Sequence, residues 1–421
     1  MTASAPPPSA APHRFWIAVL CGSVILTIGI GARQSFGIFQ KPIAADLHVG
    51  RELWSFATAI SMLLMGALSP FAGSLADRFG SARTIAAGGL LYAIGMFTVA
   101  FAHEGITITI GNVLSGLGMA AAGFGPILAA IMRQTPPARR SMALGLVTAG
   151  GSFGQFAVVP FASLLQNQLG DWHATMLVLA CVSVVMVPAA LGLRSPGSAA
   201  VRPGAAIPQG TGAALREAFG TQGFVLLTIG FFVCGFHVTF IGLHLPPYIS
   251  DKAVGMSFFG TPVSPLELGG WAIGLVGLFN IIGSILWGWT GSRYPRKDML
   301  ALLYALRAAG FVMFLALPLS WVSVLLFAAA LGFLWLGTVP LTSGLVGYMF
   351  GPTHMSMLWG IVFLSHQLGS FLGGWGAGRL YDLQGNYDMM WWIAVALGLG
   401  AALIHWRIRE RPVARLATAM P

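Results

Sequence analysis

Residues 52–83 read ELWSFATAISMLLMGALSPFAGSLADRFGSAR. An apolar run of about 25 residues, the length that spans a hydrocarbon core about 30 Å thick, ends abruptly in Gly73-Ser-Leu-Ala-Asp77-Arg78-Phe-Gly80-Ser-Ala-Arg83. A second apolar run, 84–103, begins as soon as this charged turn is over. The stretch therefore predicts two membrane-crossing helices joined by a tight basic turn.

The same alternation extends in both directions. Apolar runs bounded by charge, proline or short polar clusters fall at 15–40, 52–76, 84–103, 106–132, 142–165 and 173–193, and again at 222–249, 267–291, 299–318, 321–350, 354–378 and 388–407. Between the two sets of six lies 194–221, rich in Pro, Gly, Ser and Arg, which reads as a polar linker. Residues 1–14, MTASAPPPSAAPHR, have no apolar core of their own and read as a disordered cytoplasmic tail; 408–421 forms a basic cytoplasmic tail. The expectation is an all-α membrane protein, with six-helix bundles at 15–193 and 222–407.

Composition agrees. Only 34 of 421 residues are charged, against about 105 for a soluble chain of this length, and 56% are hydrophobic. That excludes an ordinary soluble enzyme, and long continuous runs exclude an alternating β-barrel. Cys21, Cys181 and Cys234 lie far apart inside apolar runs, so neither a disulfide framework nor a metal site is indicated.

The excess of basic residues, a formal charge of +10, follows topology and not a nucleic-acid patch. With the N-terminus inside, sixteen Lys and Arg fall on the cytoplasmic side, and four (Lys41, Arg51, Lys252, Arg379) on the other. The positive-inside rule thus puts both termini in the cytoplasm of a multi-pass inner (plasma) membrane protein.

The two sets of six also repeat. SMALGLVTAGGSFGQF at 141–156 aligns without gaps with SMLWGIVFLSHQLGSF at 356–371, an offset of 215 that Gly73 and Gly288 share. Gly118, Gly123 and Pro126 recur as Gly332, Gly337 and Pro340. Shared order and offset point to duplication, and repeated halves suit a carrier whose site lies between them and opens alternately to either side.

The turn at 73–83 resembles the G-x-L-A-D-R-x-G-x-x-R signature of the major facilitator superfamily, at the loop between spans two and three where that family carries it. A degraded copy, Gly288-Trp-Thr-Gly-Ser-Arg293-Tyr-Pro-Arg296-Lys297, stands at the matching loop of the second half. The resemblance implies the major facilitator fold, twelve transmembrane helices in two six-helix pseudo-repeat bundles, with Gly73, Asp77, Arg78, Gly80 and Arg83 as a cytoplasmic gate motif. Within the superfamily, Arg33-Gln-Ser-Phe-Gly-Ile-Phe-Gln-Lys-Pro, the stretch from Gly235-Phe-His237 to His244-Leu-Pro, and Ser365-His366-Gln367-Leu-Gly look like bacterial relatives of the monocarboxylate and oxalate/formate transporters. Departures stand beside these matches. Asn280 and Ser284 occupy the places of the acid–arginine pair of proton-coupled monocarboxylate carriers, and Asn112 replaces the arginine that many proton-coupled members have in helix four.

Ionisable groups inside a bilayer are costly and mark function by default. Arg33, about 27 Å along helix one from residue 15, is placed in the outer third of the span, where its guanidinium suits a carboxylate or snorkels to the interface. Arg307, about 12 Å into helix nine, is a possible intramembrane charge or a second snorkelling side chain. All twelve acidic residues fall in loops or at span ends. An arginine-bearing cavity without a buried carboxylate favours an anion. His237, His244 and His366 are candidate titrating groups, with His237 and His244 seven apart on one helix face. Gln34, Asn112, Gln155, Asn280 and Gln367 are candidate polar contacts, and Trp335 a candidate wall of the substrate path. The helix-five glycines Gly145, Gly150, Gly151 and Gly154 suit tight helix packing.

These readings lead to a secondary transporter of a small organic anion, a monocarboxylate, working as a monomer by alternating access with proton symport. Efflux of amphipathic compounds and anion exchange are the alternatives. No cofactor, metal or nucleic acid is implied, and no nucleotide-binding loop or HExxH motif supports a membrane enzyme.

Overall fold

In the first half, α1 (Pro12–Gln34) runs on into α2 (Phe36–Asp46), interrupted only at Ser35, so that the first span is longer than the run 15–40 suggested. It is followed by α3 (Arg51–Phe79), α4 (Ser81–Ala100), α5 (Gly105–Ala122) continued by α6 (Phe124–Gln134), α7 (Arg140–Leu169), and α8 (Trp172–Ser183) continued by α9 (Met186–Ala189) and a 3-10 turn, Ala190–Leu193. These make six spans. A short α10 (Thr211–Phe219) leads into the second half: α11 (Gln222–Asp251), a hairpin of β1 (Met256–Phe258) and β2 (Thr261–Val263), α12 (Pro265–Arg293), α13 (Arg296–Ala316), α14 (Trp321–Phe333) with α15 (Thr338–Phe350), α16 (Met355–Gln384) and α17 (Asp388–Trp406), before a last turn, α18 (Ala414–Ala417). This computed structural model describes residues 12–136, 139–194, 210–252, 255–258, 261–351 and 355–417.

Eleven of these spans are long and apolar enough to cross a membrane. The remaining one, α16, is 30 residues long but carries Ser365-His366-Gln367 and Ser370 at its centre. It lies against α3 and α11 in the interior, where polar groups find partners. The result is the twelve-helix arrangement expected of the major facilitator fold.

Three boundaries differ from the expectation. Helix α1 starts at Pro12, inside the segment read as a tail, whose residues 1–11 lie outside the described residues. Of the linker 194–221, residues 195–209 also lie outside them, and the second part is the helix α10, whose Ala214 and Ala218 are buried. In the final segment, Ile408 and Val413 are buried and Val413 N donates to Met349 O, so this stretch is docked through apolar contacts that its basic composition concealed.

Within each half, small residues set the helix spacing. A Cβ on Gly154 of α7 would stand 2.1 Å from Thr27 O of α1, and one on Gly150 would stand 2.9 Å from Ser23. These two helix-five glycines are filled contacts, whereas Gly145 has no such neighbour within 4 Å. At the end of α3, Gly80 takes φ +93°, a conformation open to glycine, and its N–H closes the helix on Ala76 O. The halves meet chiefly where α3 packs on α16, α7 on α12, and α2 on α11, with α2 also touching α12.

Candidate functional site

Gln222 Nε2 donates to Arg407 O, and Gly192 lies against Cys21 and Ile17 of α1, so Pro12, Gln222 and Arg407 share one face of the bundle. That is the terminal face; Asp46, Arg51, Asp251 and Asp382 lie at the opposite, distal face.

At the distal face the halves are bolted together. Arg51 of α3 donates from both terminal nitrogens to the two oxygens of Asp251 on α11, each at 2.7 Å, and from Nη1 to Tyr387 Oη at 2.9 Å. Its guanidinium lies 3.7 Å from the centre of the Tyr381 ring, and Lys41 of α2 adds a 2.9 Å ion pair to Asp251. Asp382 of α16 accepts the backbone N–H groups of Arg51 and Glu52 at 2.9 and 2.8 Å, an anion on the N-terminus of α3. Glu52 completes the seam with Trp375 and Arg379. Just below, Tyr387 Oη donates to Gln40 Oε1, and Gln40 Nε2 reaches Ser55 Oγ at 2.8 Å and His244 Nδ1 at 3.3 Å. The opposite nitrogen of His244 donates to Gly374 O at 2.8 Å.

Moving towards the terminal face, the last direct link between α3 and α16 is Gln367 Nε2 donating to Met62 O at 2.6 Å. Gly66 makes it possible, since any Cβ there would stand 2.2 Å from Gln367 Cγ. One heptad further along the same faces, Gly73 of α3 and Gly360 of α16 have nothing within 4 Å of a Cβ position. The second seam behaves alike. Asn280 Nδ2 of α12 donates to Ser152 Oγ of α7 at 2.9 Å, whereas Gly145, seven residues nearer the terminal face, is free. The halves thus form a wedge, closed distally and open at the terminal face. Arg78 and Arg83 of the signature turn are exposed there and, among the described residues, make no ion pair. The Asp77 side chain of the same motif lies outside the described residues.

Under the seam sits a cavity lined by Arg33, Gln34, Thr58, Met62, Thr239, Gly242 and Leu243, closed in this state to about 10 Å³, room for about one water. Arg33 and Gln34 close α1, immediately before the interruption at Ser35. Because the span continues to Asp46, Arg33 lies about 20 Å short of the distal end, which corrects its placement in the outer third and removes snorkelling as an option. Its Nη1 touches only Met65 Sδ at 3.0 Å, its Nε has no partner, and among the described residues it makes no ion pair. Thr58 contributes a buried hydroxyl without a partner.

The other candidates divide. Gln367 holds Met62, a cavity residue, and accepts from His366 Nδ1 at 2.9 Å. Gln155 and Asn280 lie on the α7–α12 seam, where Asn280 Oδ1 also accepts Leu336 N at 3.0 Å. Asn112 is wholly buried and donates to Ile108 O of its own helix. His237 is equally buried and donates to Ala394 O of α17, so it faces away from the cavity. His244 belongs to the distal network. Trp335 is buried in the hydrophobic core at the α14–α15 break and does not line the cavity. Arg307, also fully buried, donates to Leu334 O at 2.5 Å and Trp335 O at 2.7 Å. It caps carbonyls that the break leaves without helical N–H partners, which replaces the snorkelling reading with a structural one.

Thr58, Thr239 and Met62 are cavity residues that sequence reasoning missed, and so was the distal network of Arg51, Asp251 and Tyr387. The network did leave a signal, in charges of opposite sign at span ends on the same side.

The comparisons agree with this geometry. The sequence profile of the Major Facilitator Superfamily matches residues 19–270 and 263–420. The chain is 24% identical to the uncharacterized MFS-type transporter YcxA of Bacillus subtilis over 93% of its own length and 95% of that protein. It is 25% identical to human monocarboxylate transporter 11, covering 96% of this chain and 85% of the relative. The crystal structure of the nucleoside transporter NupG superposes with a TM-score of 0.74 at 15% identity, over 93% of this chain and 99% of that one. The chain is a multi-pass membrane transporter of the major facilitator superfamily.

Proposed function

We propose that the protein carries a small monocarboxylate by alternating access, with a proton travelling alongside it. The observation that carries the reading is Arg33: a permanently charged fork at mid-span, facing a cavity, with no carboxylate among the described residues to neutralise it. Thr58 and Thr239 supply hydroxyls, and Met62, Met65 and Leu243 an apolar wall, which suits one carboxylate on a short apolar body. Several relatives are named as monocarboxylate transporters. The wedge open at the terminal face supplies one of the two states that alternating access requires. The sequence assigns sixteen basic residues to that side and four to the other, which supports a cytoplasmic terminal face and a plasma-membrane carrier.

Proton coupling has a physical motive. An anion entering a cell works against the membrane potential by about 2.3 kcal/mol per 100 mV, and a co-transported proton cancels that charge. Of the three candidate histidines, His366 alone is tied to the cavity wall, through Gln367 and Met62. In proteoliposomes, short monocarboxylates should accumulate under an inward proton gradient, while sugars and lipophilic cations should not. His366→Gln should keep substrate exchange but lose the response to the gradient. Uptake of cations with indifference to carboxylates would end the anion reading, and an unaltered gradient response in His366→Gln would remove that residue from coupling.

A further inference from the structure

On the terminal face, the α12–α13 turn and the chain after α17 enclose an open cleft of about 570 Å³. Arg293, Arg296, Lys297, Arg409 and Arg411 line it, with Glu410 as the single acidic lining residue. Glu410 is already engaged: Oε1 accepts from Arg296 Nη1 at 3.3 Å and Oε2 from Lys297 N at 3.1 Å, in the first turn of α13. The cleft therefore already holds one carboxylate, on a helix N-terminus flanked by a guanidinium. Four positive charges remain in excess. Arg409 and Arg411 are exposed, and among the described residues neither makes an ion pair.

Its depth is marked by aromatic side chains. Tyr294 (56% exposed) lines it, the ring of Trp289 (47%) lies 4.1 Å from the guanidinium of the lining Arg293, and Trp406 (61%) accepts the lining Lys297 Nζ at its carbonyl. Exposed Trp and Tyr collect where hydrocarbon gives way to headgroups. A topological bias explains positive charge on this face, but not a cavity of this size, five cations lining it, or the exposed aromatics beside them.

We propose that the cleft binds the phosphate of an anionic phospholipid headgroup, pinning the segment from Ile408 to Val413 against the α12–α13 turn. A soluble phosphate offers the same chemistry; the headgroup-level depth favours the lipid. This inference is independent of the substrate carried.

The test is titration of the purified full-length protein, held in zwitterionic detergent, with phosphatidylglycerol, phosphatidylcholine or inorganic phosphate, reading lipid adducts by native mass spectrometry and the thermal unfolding midpoint. Phosphatidylglycerol should bind saturably and raise the midpoint, and phosphatidylcholine should not. With each arginine near an anionic headgroup contributing about fivefold, Arg409→Gln with Arg411→Gln should weaken phosphatidylglycerol binding about thirtyfold. The control pair Arg194→Gln with Arg216→Gln removes the same charge from exposed positions on the same face and should leave it unchanged. Equal loss in both pairs would show attraction to general surface charge and overturn the site, as would undiminished binding in the cleft variants. If inorganic phosphate alone gives the full shift with the same variant sensitivity, the lipid assignment falls and a soluble anion takes its place.

Discussion

Arg33 and Arg307 are the two arginines within the spans, and the sequence treats them alike. The structure separates them by what lies beside them. Arg307 delivers Nη2 to two carbonyls at the α14–α15 break, with Tyr304 alongside; its Nε and Nη1 are buried without a partner, but it does not line the cavity. Arg33 finds a thioether and a cavity. A buried arginine that repairs the backbone away from the cavity is part of the scaffold; one that lines an opening is available for an anion.

The largest expected effect comes from the residue that does least for the fold. Removing one side of a buried charged contact costs about 2–5 kcal/mol, so Arg33→Gln should lower monocarboxylate uptake about thirtyfold or more while leaving the unfolding midpoint unchanged. Arg307→Met should do the reverse. Two carbonyls lose their donor, at about 1–3 kcal/mol each, so the midpoint should fall while the substrate-induced rise in stability survives in the folded fraction. If both variants fail in the same way, the distinction between them is broken. Arg51, paired with a carboxylate, extends the comparison at a smaller scale. Asp251→Asn weakens a charged hydrogen-bonded pair, about 1.5–3 kcal/mol. It should raise labelling of a cysteine introduced at Gln40 by about tenfold or more as the distal face opens, and unchanged labelling would deny the seam its gating role.

Much of the architecture was legible because its signals are extended in one dimension: apolar runs, an asymmetry of basic residues, a repeat with fixed offset. The site was legible only where a residue type is intrinsically out of place, as with Arg33 in a span. Thr58 and Thr239 were not, since hydroxyls in helices ordinarily satisfy themselves on their own backbone, as Thr228 does on Phe224 O and Ser55 on Arg51 O. His237 and His244 do lie seven apart on α11, but neighbours change along a helix. One level of that face meets α17 at Ala394, and two turns on it meets α16 at Gly374. Helix periodicity assigns a face and leaves the neighbour open, because crossing angles are set by packing between distant segments. The pairing of Arg51 with Asp251, 200 residues apart, belongs to the same class.

The wedge has a thermodynamic consequence. The distal seam consists of ion pairs and hydrogen bonds, whereas the stretches beyond Gly66, 69–73 on α3 and 360–364 on α16, where Gly73 and Gly360 face open space, carry no charge. Rocking from this state to its opposite exchanges a seam of ion pairs at one end for closure along these uncharged stretches of α3 and α16 at the other. Salt screens the first kind of contact, and cooling weakens the second. Ionic strength and temperature are thus independent handles on one conformational equilibrium: added salt tips it away from the state described here, and cold tips it back.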